Sequence, residues 1–302
     1  SVYYSPETRT LQEINKHLTD KINPANLHRW LFAENSKDKK EINPVQFPNV
    51  NAKVYPGVAG WREDVISWLR GSFNHAGGLQ ILLSHVDTRF VICTEPDFCV
   101  VRPNWIKEIT EKMDRENLSF FGAPYDPRRY YMYRYFPHIA FIAIDLSRIK
   151  KSTLDFRPIP PDELNWKQNF VRYVLNRAKR KIFGARAVIN TRRETGSRIY
   201  QKYHITEKVG CLAPVFLRQP NLLDKLLPDN LSFVPHRKNY FSTKGFGKHN
   251  FPDFKTLYKW EEYMYRGDPF AFHMQGGKEK RDMVREIRAV REFVEKFISE
   301  LK

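Results

Sequence analysis

The stretch Arg89 to Ile106, RFVICTEPDFCVVRPNWI, constrains the fold more than any other part of the chain. It is apolar at consecutive positions from Phe90 to Cys93 and again from Phe98 to Val101. A strand with one wet face alternates apolar and polar residues. A continuous run predicts burial on both faces, as in a parallel sheet covered by helices. Glu95 and Asp97 interrupt the run on either side of Pro96. Buried carboxylates are costly unless they are paired or hold a metal, so this strand end is a functional candidate.

The surrounding pattern supports an open α/β sheet. Ser1–Tyr4 reads as a strand fragment, and Leu11, Ile14 and Leu18 fall at helical spacing over Thr8–Leu18. Leu27–Ala33 and Asn51–Gly57 read as strands, with helices over Trp61–Leu69 and Gly77–Val86. Asn104 is expected to cap a helix beginning at Trp105. Leu118–Tyr125 and His138–Leu146 read as strands around an Arg- and Tyr-rich loop. Phe170–Arg180 and Arg193–Tyr203 read as helices around a small strand, and residues from Cys211 to Phe251 as loop-rich. Met283, Ile287, Val290, Val294, Phe297, Ile298 and Leu301 place an amphipathic helix over Lys280–Lys302. Strand and helix in alternation predict a mostly parallel sheet with right-handed crossovers. Ligands of such sheets bind beyond the carboxyl ends of strands, where Glu95 and Asp97 fall.

Charge narrows the partners. Lys and Arg exceed Asp and Glu by 51 to 34 in 302 residues, a net charge of +17. Such a field attracts anions, whether nucleic acid, an acidic membrane surface or phosphorylated small molecules. No RRM, KH, zinc-finger or helix-turn-helix pattern is present, so no nucleic acid is expected as partner, although a basic nucleic-acid-binding protein remains the alternative. Three cysteines, Cys93, Cys99 and Cys211, give neither a disulfide framework nor zinc spacing. They predict a reducing, cytoplasmic setting. Arg281, Arg285, Arg288 and Arg291 on the terminal helix leave open a peripheral contact with the anionic inner membrane face, against docking on the body of the protein. No apolar run approaches the ~18 residues of a membrane span.

Three constellations carry chemistry. Glu95 and Asp97 can both approach a hard divalent cation, although an isolated pair of this spacing is more often a solvated loop. Phe270–Asp282, FAFHMQGGKEKRD, runs an apolar strand to His273, then to Gly276, Gly277 and Lys278. An imidazole can ligate metal, glycines let amides approach an anion, and lysine adds charge. Tyr125–Phe136 interleaves cations with aromatic faces, suited to sugars, to nucleic acid, or to packing on itself.

The order of these pieces resembles the GT-A glycosyltransferases, most of all the inverting, nucleotide-sugar-dependent family 2. In that family a strand ends in a DxD-type motif and leads to a helix opening with Pro-x-Trp-Ile. Here Glu95 replaces the first acid, Asp97 keeps the second, and Pro103, Trp105 and Ile106 follow. SPETRTL resembles the loop that begins the nucleotide pocket, and ENSKD the turn whose acid, here Glu34, approaches the base. RRETGSRIYQKY resembles the segment holding the catalytic base, with Glu194 in that place and Thr195 where a second acid is usual.

The resemblance covers about residues 1–205. It implies a nucleotide-sugar-binding half (1–117), an acceptor-binding and catalytic half with a smaller sheet (118–279), and a terminal helix (280–302). The implied activity moves a sugar from a nucleotide diphosphate to a hydroxyl of a glycan or glycolipid, as in cell-surface polysaccharide synthesis, with Mn2+ or Mg2+ as cofactor. The implied nucleotide contacts are Ser5, Glu7, Glu34, Thr94, Glu95 and Lys278; the metal ligands are Asp97, Glu95 and His273. Glu194 is the implied base, with Asp162 and Glu163 in reserve. Tyr125, Arg128, Arg129 and Trp166 are assigned to the acceptor. The replacements at Glu95 and Thr195 keep a catalytically degenerate GT-A scaffold among the readings.

Overall fold

The computed structural model describes residues 1–3, 5–24, 28–35, 51–57, 67–124, 136–159, 195–214, 260–274 and 283–301. In chain order the elements are β1 (Val2–Tyr3), α1 (Pro6–Ile22), β2 (Trp30–Glu34), β3 (Ala52–Pro56) and α2 (Ser67–Ser84). Then come β4 (Phe90–Thr94), β5 (Phe98–Val100), α3 (Trp105–Arg115), β6 (Phe120–Gly122) and β7 (Phe141–Asp145). The last are α4 (Ser197–Tyr203), β8 (Val209–Cys211), β9 (Ala213–Pro214), β10 (Trp260–Tyr265), β11 (Asp268–Met274) and α5 (Met283–Glu300). No helix is long and apolar enough to cross a membrane among these residues.

The strands form three sheets, in orders β1-β2-β3, β4-β7-β6-β8 and β5-β11-β10-β9. The architecture is mixed α/β, but the expectation of a mostly parallel sheet is corrected. The first sheet is parallel, and so is β6 with β8; β4, β6, β5, β9 and β10 meet their other partners antiparallel. The cause is local. β7 follows β6 and returns along it, and β10 and β11 are joined by the two-residue turn Arg266–Gly267, with both residues at positive φ. Tight turns of this kind join antiparallel strands only.

The second sheet is a buried middle layer. β7, FIAID, is buried at every position. Phe141 and Ala143 face a core built with α1, α3, β5, β11 and α5, while Ile142 and Ile144 face a second core with α2 and α4. Side chains of a strand alternate between faces, so a continuous apolar sequence is what two cores require. Gly122 of β6 is needed for closeness: a Cβ there would stand 2.1 Å from the Phe141 carbonyl oxygen.

Several helices differ from expectation. α2 is continuous through Gly77 and Gly78, and its approach to Val2 is the reason for glycine: a Cβ on Gly78 would stand 3.0 Å from both Val2 methyls. α4 begins only at Ser197, after Gly196 at φ 84°. Asn104 precedes α3 but adopts a left-handed φ of 57° and makes no side-chain cap. The cap comes from Asn23, at the end of α1, whose Oδ1 accepts from the Ile106 amide at 3.1 Å. α5 buries Val290, Phe293, Val294 and Phe297 in the first core and packs on α1. Its exposed face mixes Arg285, Arg288, Arg291 and Lys296 with Glu292, Glu295 and Glu300. Of the expected basic face, Arg285, Arg288 and Arg291 are exposed, while Lys280 and Arg281 lie outside the described residues.

Candidate metal centre

Glu95 and Asp97 lie in a tight turn between β4 and β5. The Phe98 amide donates to the Glu95 carbonyl at 3.1 Å, which closes a four-residue turn with Pro96 at its second position. Proline suits that place because its φ is already set. Two further bonds fix the turn to its surroundings. The Glu95 amide donates to the Ala140 carbonyl at 3.0 Å, continuing the β4–β7 ladder. Asn15 of α1 donates from Nδ2 to the Phe98 carbonyl at 2.7 Å and to that of Glu95 at 3.4 Å.

β5 then pairs with β11, setting Phe98 opposite His273. This register joins residues 178 apart in sequence. His273 Nε2 lies 3.3 Å from Glu95 Oε2 and 3.6 Å from Asp97 Oδ1. The Phe98 ring, stacked on Phe141, supports the imidazole at a centroid distance of 5.6 Å. One potential ligand atom from each of Glu95, Asp97 and His273 lies within 4.8 Å of the others.

Two more histidines surround the carboxylates. His75 Nδ1 of α2 is 3.8 Å from Glu95 Oε1, and the His138 ring lies 5.9 Å from that of His273. His138 accepts from the Ala140 amide through Nδ1 at 3.1 Å, which leaves its Nε2 toward the Tyr263 hydroxyl at 3.5 Å; that hydroxyl donates to the Pro124 carbonyl. Burial alone pushes the Glu95 carboxyl up, but the hydrogen bond from His273 and the fields of His75, His273 and His138 outweigh it and hold the group at about 2. His75 goes the other way: burial pushes its pKa down more than Glu95 and Asp97 raise it. Near neutral pH this leaves an ionised Glu95 beside a neutral His75.

Two carboxylates and an imidazole are a donor set that a divalent cation can use. Ligands at about 2.1 Å from an octahedral ion are themselves about 3 to 4 Å apart, so small side-chain movements bring these three atoms onto one ion.

The same end of the fold collects other elements. Asn35, following β2, donates from Nδ2 to the Asn74 carbonyl at 2.7 Å, next to His75. Thr195, ahead of α4, donates from Oγ1 to the Ser72 carbonyl at 3.1 Å. Gly57 donates to the Glu34 carbonyl at 2.8 Å, and a Cβ on Gly57 would stand 1.7 Å from Asn35 Oδ1. α2 therefore gathers the ends of β1, β2 and β4 with the approach to α4.

Of the residues singled out in the sequence, Glu95, Asp97 and His273 are brought together. Thr94 is buried beside them, its hydroxyl donating to the Glu95 carbonyl at 3.3 Å. Glu34 is buried at the end of β2. Ser5 caps α1 in a reciprocal pair with Thr8, and Glu7 is exposed in the first turn of that helix. Glu194, Lys278, Tyr125, Arg128, Arg129 and Trp166, with Asp162 and Glu163, lie outside the described residues.

Sequence reasoning missed Asn15, His75 and His138. Asn15 carried a signal, since it sits four residues after Leu11 on the apolar face of α1. His75 fell between two expected helices that are one, so no face was assigned to it. No protein-family model matches the chain, and no curated protein matches it.

Proposed function

We propose that this protein is a metal-dependent glycosyltransferase of the GT-A type, transferring a sugar from a nucleotide diphosphate to a hydroxyl of a glycan acceptor with inversion. The observation that carries the reading is the convergence of Glu95, Asp97 and His273 beyond the end of β4. The DxD-like turn was the part of the resemblance with a defined chemical role, and the distant His273 stands beside it.

Each residue then has a task. Asp97 and Glu95 hold a Mn2+ or Mg2+ ion with His273, and Asn15 keeps their turn in place. Held there, such an ion would supply charge neutralisation to a departing diphosphate. The hydrogen bond from His273 favours the ionised form of Glu95. Glu34, at the neighbouring strand end, and Lys278 complete the nucleotide side, while Glu194 accepts the acceptor hydroxyl proton as that oxygen attacks the anomeric carbon. The net charge of +17 draws an anionic donor toward the site.

A thermal-shift panel of nucleoside diphosphates and their sugars, with and without Mn2+, tests the reading. Binding to the native state raises the unfolding midpoint by mass action. A nucleotide-selective rise is expected only with metal, and Asp97→Ala is expected to abolish it. Glu194→Gln is expected to keep the rise and lose turnover. If no nucleotide shifts the midpoint with metal present, the proposal fails.

A further inference from the structure

β2 and β4 run in the same direction with a gap between them. Arg29 and Asp87 form an ion pair at the starts of the two strands. At their ends, Asn35 bonds to Asn74 while His75 meets Glu95. Between lies a cavity of about 690 Å³. Its side walls are Arg29–Leu31 and Phe90–Thr94; Leu79, Leu82 and Leu83 of α2 cover one face, and Trp105 and Ile106 of α3 the other.

The side walls are backbone edges. Leu31 accepts from the Ser1 nitrogen at 2.9 Å and Ala33 donates to the Ser1 carbonyl at 3.0 Å. Trp30 donates instead to Asn51, toward β3. Alternate residues of a strand point their amides to opposite sides, so Arg29 and Leu31 direct theirs into the cavity. On β4, the Arg89 carbonyl and the Glu95 amide bond toward β7, at Leu146 and Ala140. Phe90, Ile92 and Thr94 therefore direct their groups the other way, into the same cavity, with the Phe90 carbonyl met at the near end by the Thr88 hydroxyl at 2.8 Å. No strand pairs with this edge of β4 among the described residues, and β1 covers only Ala33 and Glu34 of β2.

We propose that this slot receives a β-strand, parallel to β2 and in line with β1, on the amino side of Ser1. In that place it joins the first two sheets into one, in the order β3-β2-β1-β4-β7-β6-β8. The length follows from the walls: about four residues, or roughly 13 Å, return the line from Phe32 to His28. The chemistry follows from the lids: helices cover both faces, so the occupant is apolar at successive positions. A small apolar molecule fits less well. It leaves unmet the amides of both edges, whose burial without partners is costly.

The test compares the chain with two versions extended ahead of Ser1, by Val-Ile-Val-Ile and by Val-Pro-Val-Pro. Proline lacks the amide hydrogen a central strand needs. The first extension is expected to raise the unfolding midpoint by several degrees and to slow amide exchange at Leu31, Phe90 and Ile92 at least tenfold; the second is expected to do neither. Equal midpoints for all three chains overturn the proposal. If the extended chains aggregate, the free tetrapeptide acetyl-Val-Ile-Val-Ile-amide is added to the unextended protein and read by the fluorescence of Trp30 and Trp105. A saturable change is then expected with the peptide. A change with decane and none with the peptide makes the cavity a lipid-type pocket and refutes the strand.

Discussion

At the scale of single residues, two positions govern different properties. Asp145 ends β7 wholly buried, accepting from Arg89 Nε at 3.2 Å and Nη2 at 2.9 Å, and from Ser147 at its amide and hydroxyl. Burial pushes its carboxyl up, but the bonds from Arg89 and Ser147 outweigh burial and hold it below the ordinary range. A depressed value means stability that is present above the unfolded value of about 4 and lost as pH falls through the folded one. Asp145→Asn is expected to cost about 2 to 3 kcal/mol at neutral pH. Its urea midpoint should begin to approach that of the parent protein as pH falls below about 4 and meet it only below the depressed folded value; a gap that persists there would show the loss to be steric. Gly57→Ala presses a methyl against Asn35 and the Glu34 carbonyl. Overpacking of that kind costs about 1 to 3 kcal/mol, and with Asn35 displaced from Asn74, the nucleotide affinity of the proposed function should fall further than stability alone accounts for.

At the scale of elements, the ends of α3 separate what a sequence discloses from what it conceals. The helix was legible from Ile106, Ile109 and the preceding Asn104, and it is present. Its cap was not, because the capping oxygen belongs to Asn23, 83 residues away from Ile106. Asn23→Ala should therefore cost about 1 kcal/mol. Asn104→Gly should be neutral or stabilising, since its φ of 57° is one that glycine adopts without strain. Chemical denaturation of the two variants distinguishes this arrangement from a cap at Asn104. The same logic covers the sheet directions. Runs such as FVIC and FIAI announced buried strands, but pairing direction depends on partners distant in sequence, as between β5 and β11. Glu95 and Asp97 were visible because carboxylates stand out in apolar sequence. Their company of His75 and His138 was not, since a histidine on a buried face is ordinarily part of a core.

At the scale of the molecule, the terminal helix and the candidate metal centre belong to one packed unit. Phe293 of α5 meets the Phe272 ring edge-on at 5.6 Å and stacks on Phe297 at 5.8 Å. Phe272 pairs with Cys99, and the next residue pair along that ladder is His273 with Phe98. The position of His273 over Glu95 therefore depends on β11 lying flat on β5, which α5 holds from behind. Densely packed interiors transmit small displacements rather than absorb them. Phe293→Ala should lower stability by about 3 to 5 kcal/mol, and Phe293→Leu by less. The milder variant is the informative one. If α5 holds the site, Phe293→Leu should weaken Mn2+ affinity several-fold at a temperature where the protein is fully folded, as measured by titration calorimetry. Phe297→Leu, which lies one helical turn farther along, should weaken it less. Equal metal affinity in all three proteins would mean that the β5–β11 ladder alone positions His273, and that α5 contributes only to the stability of the whole.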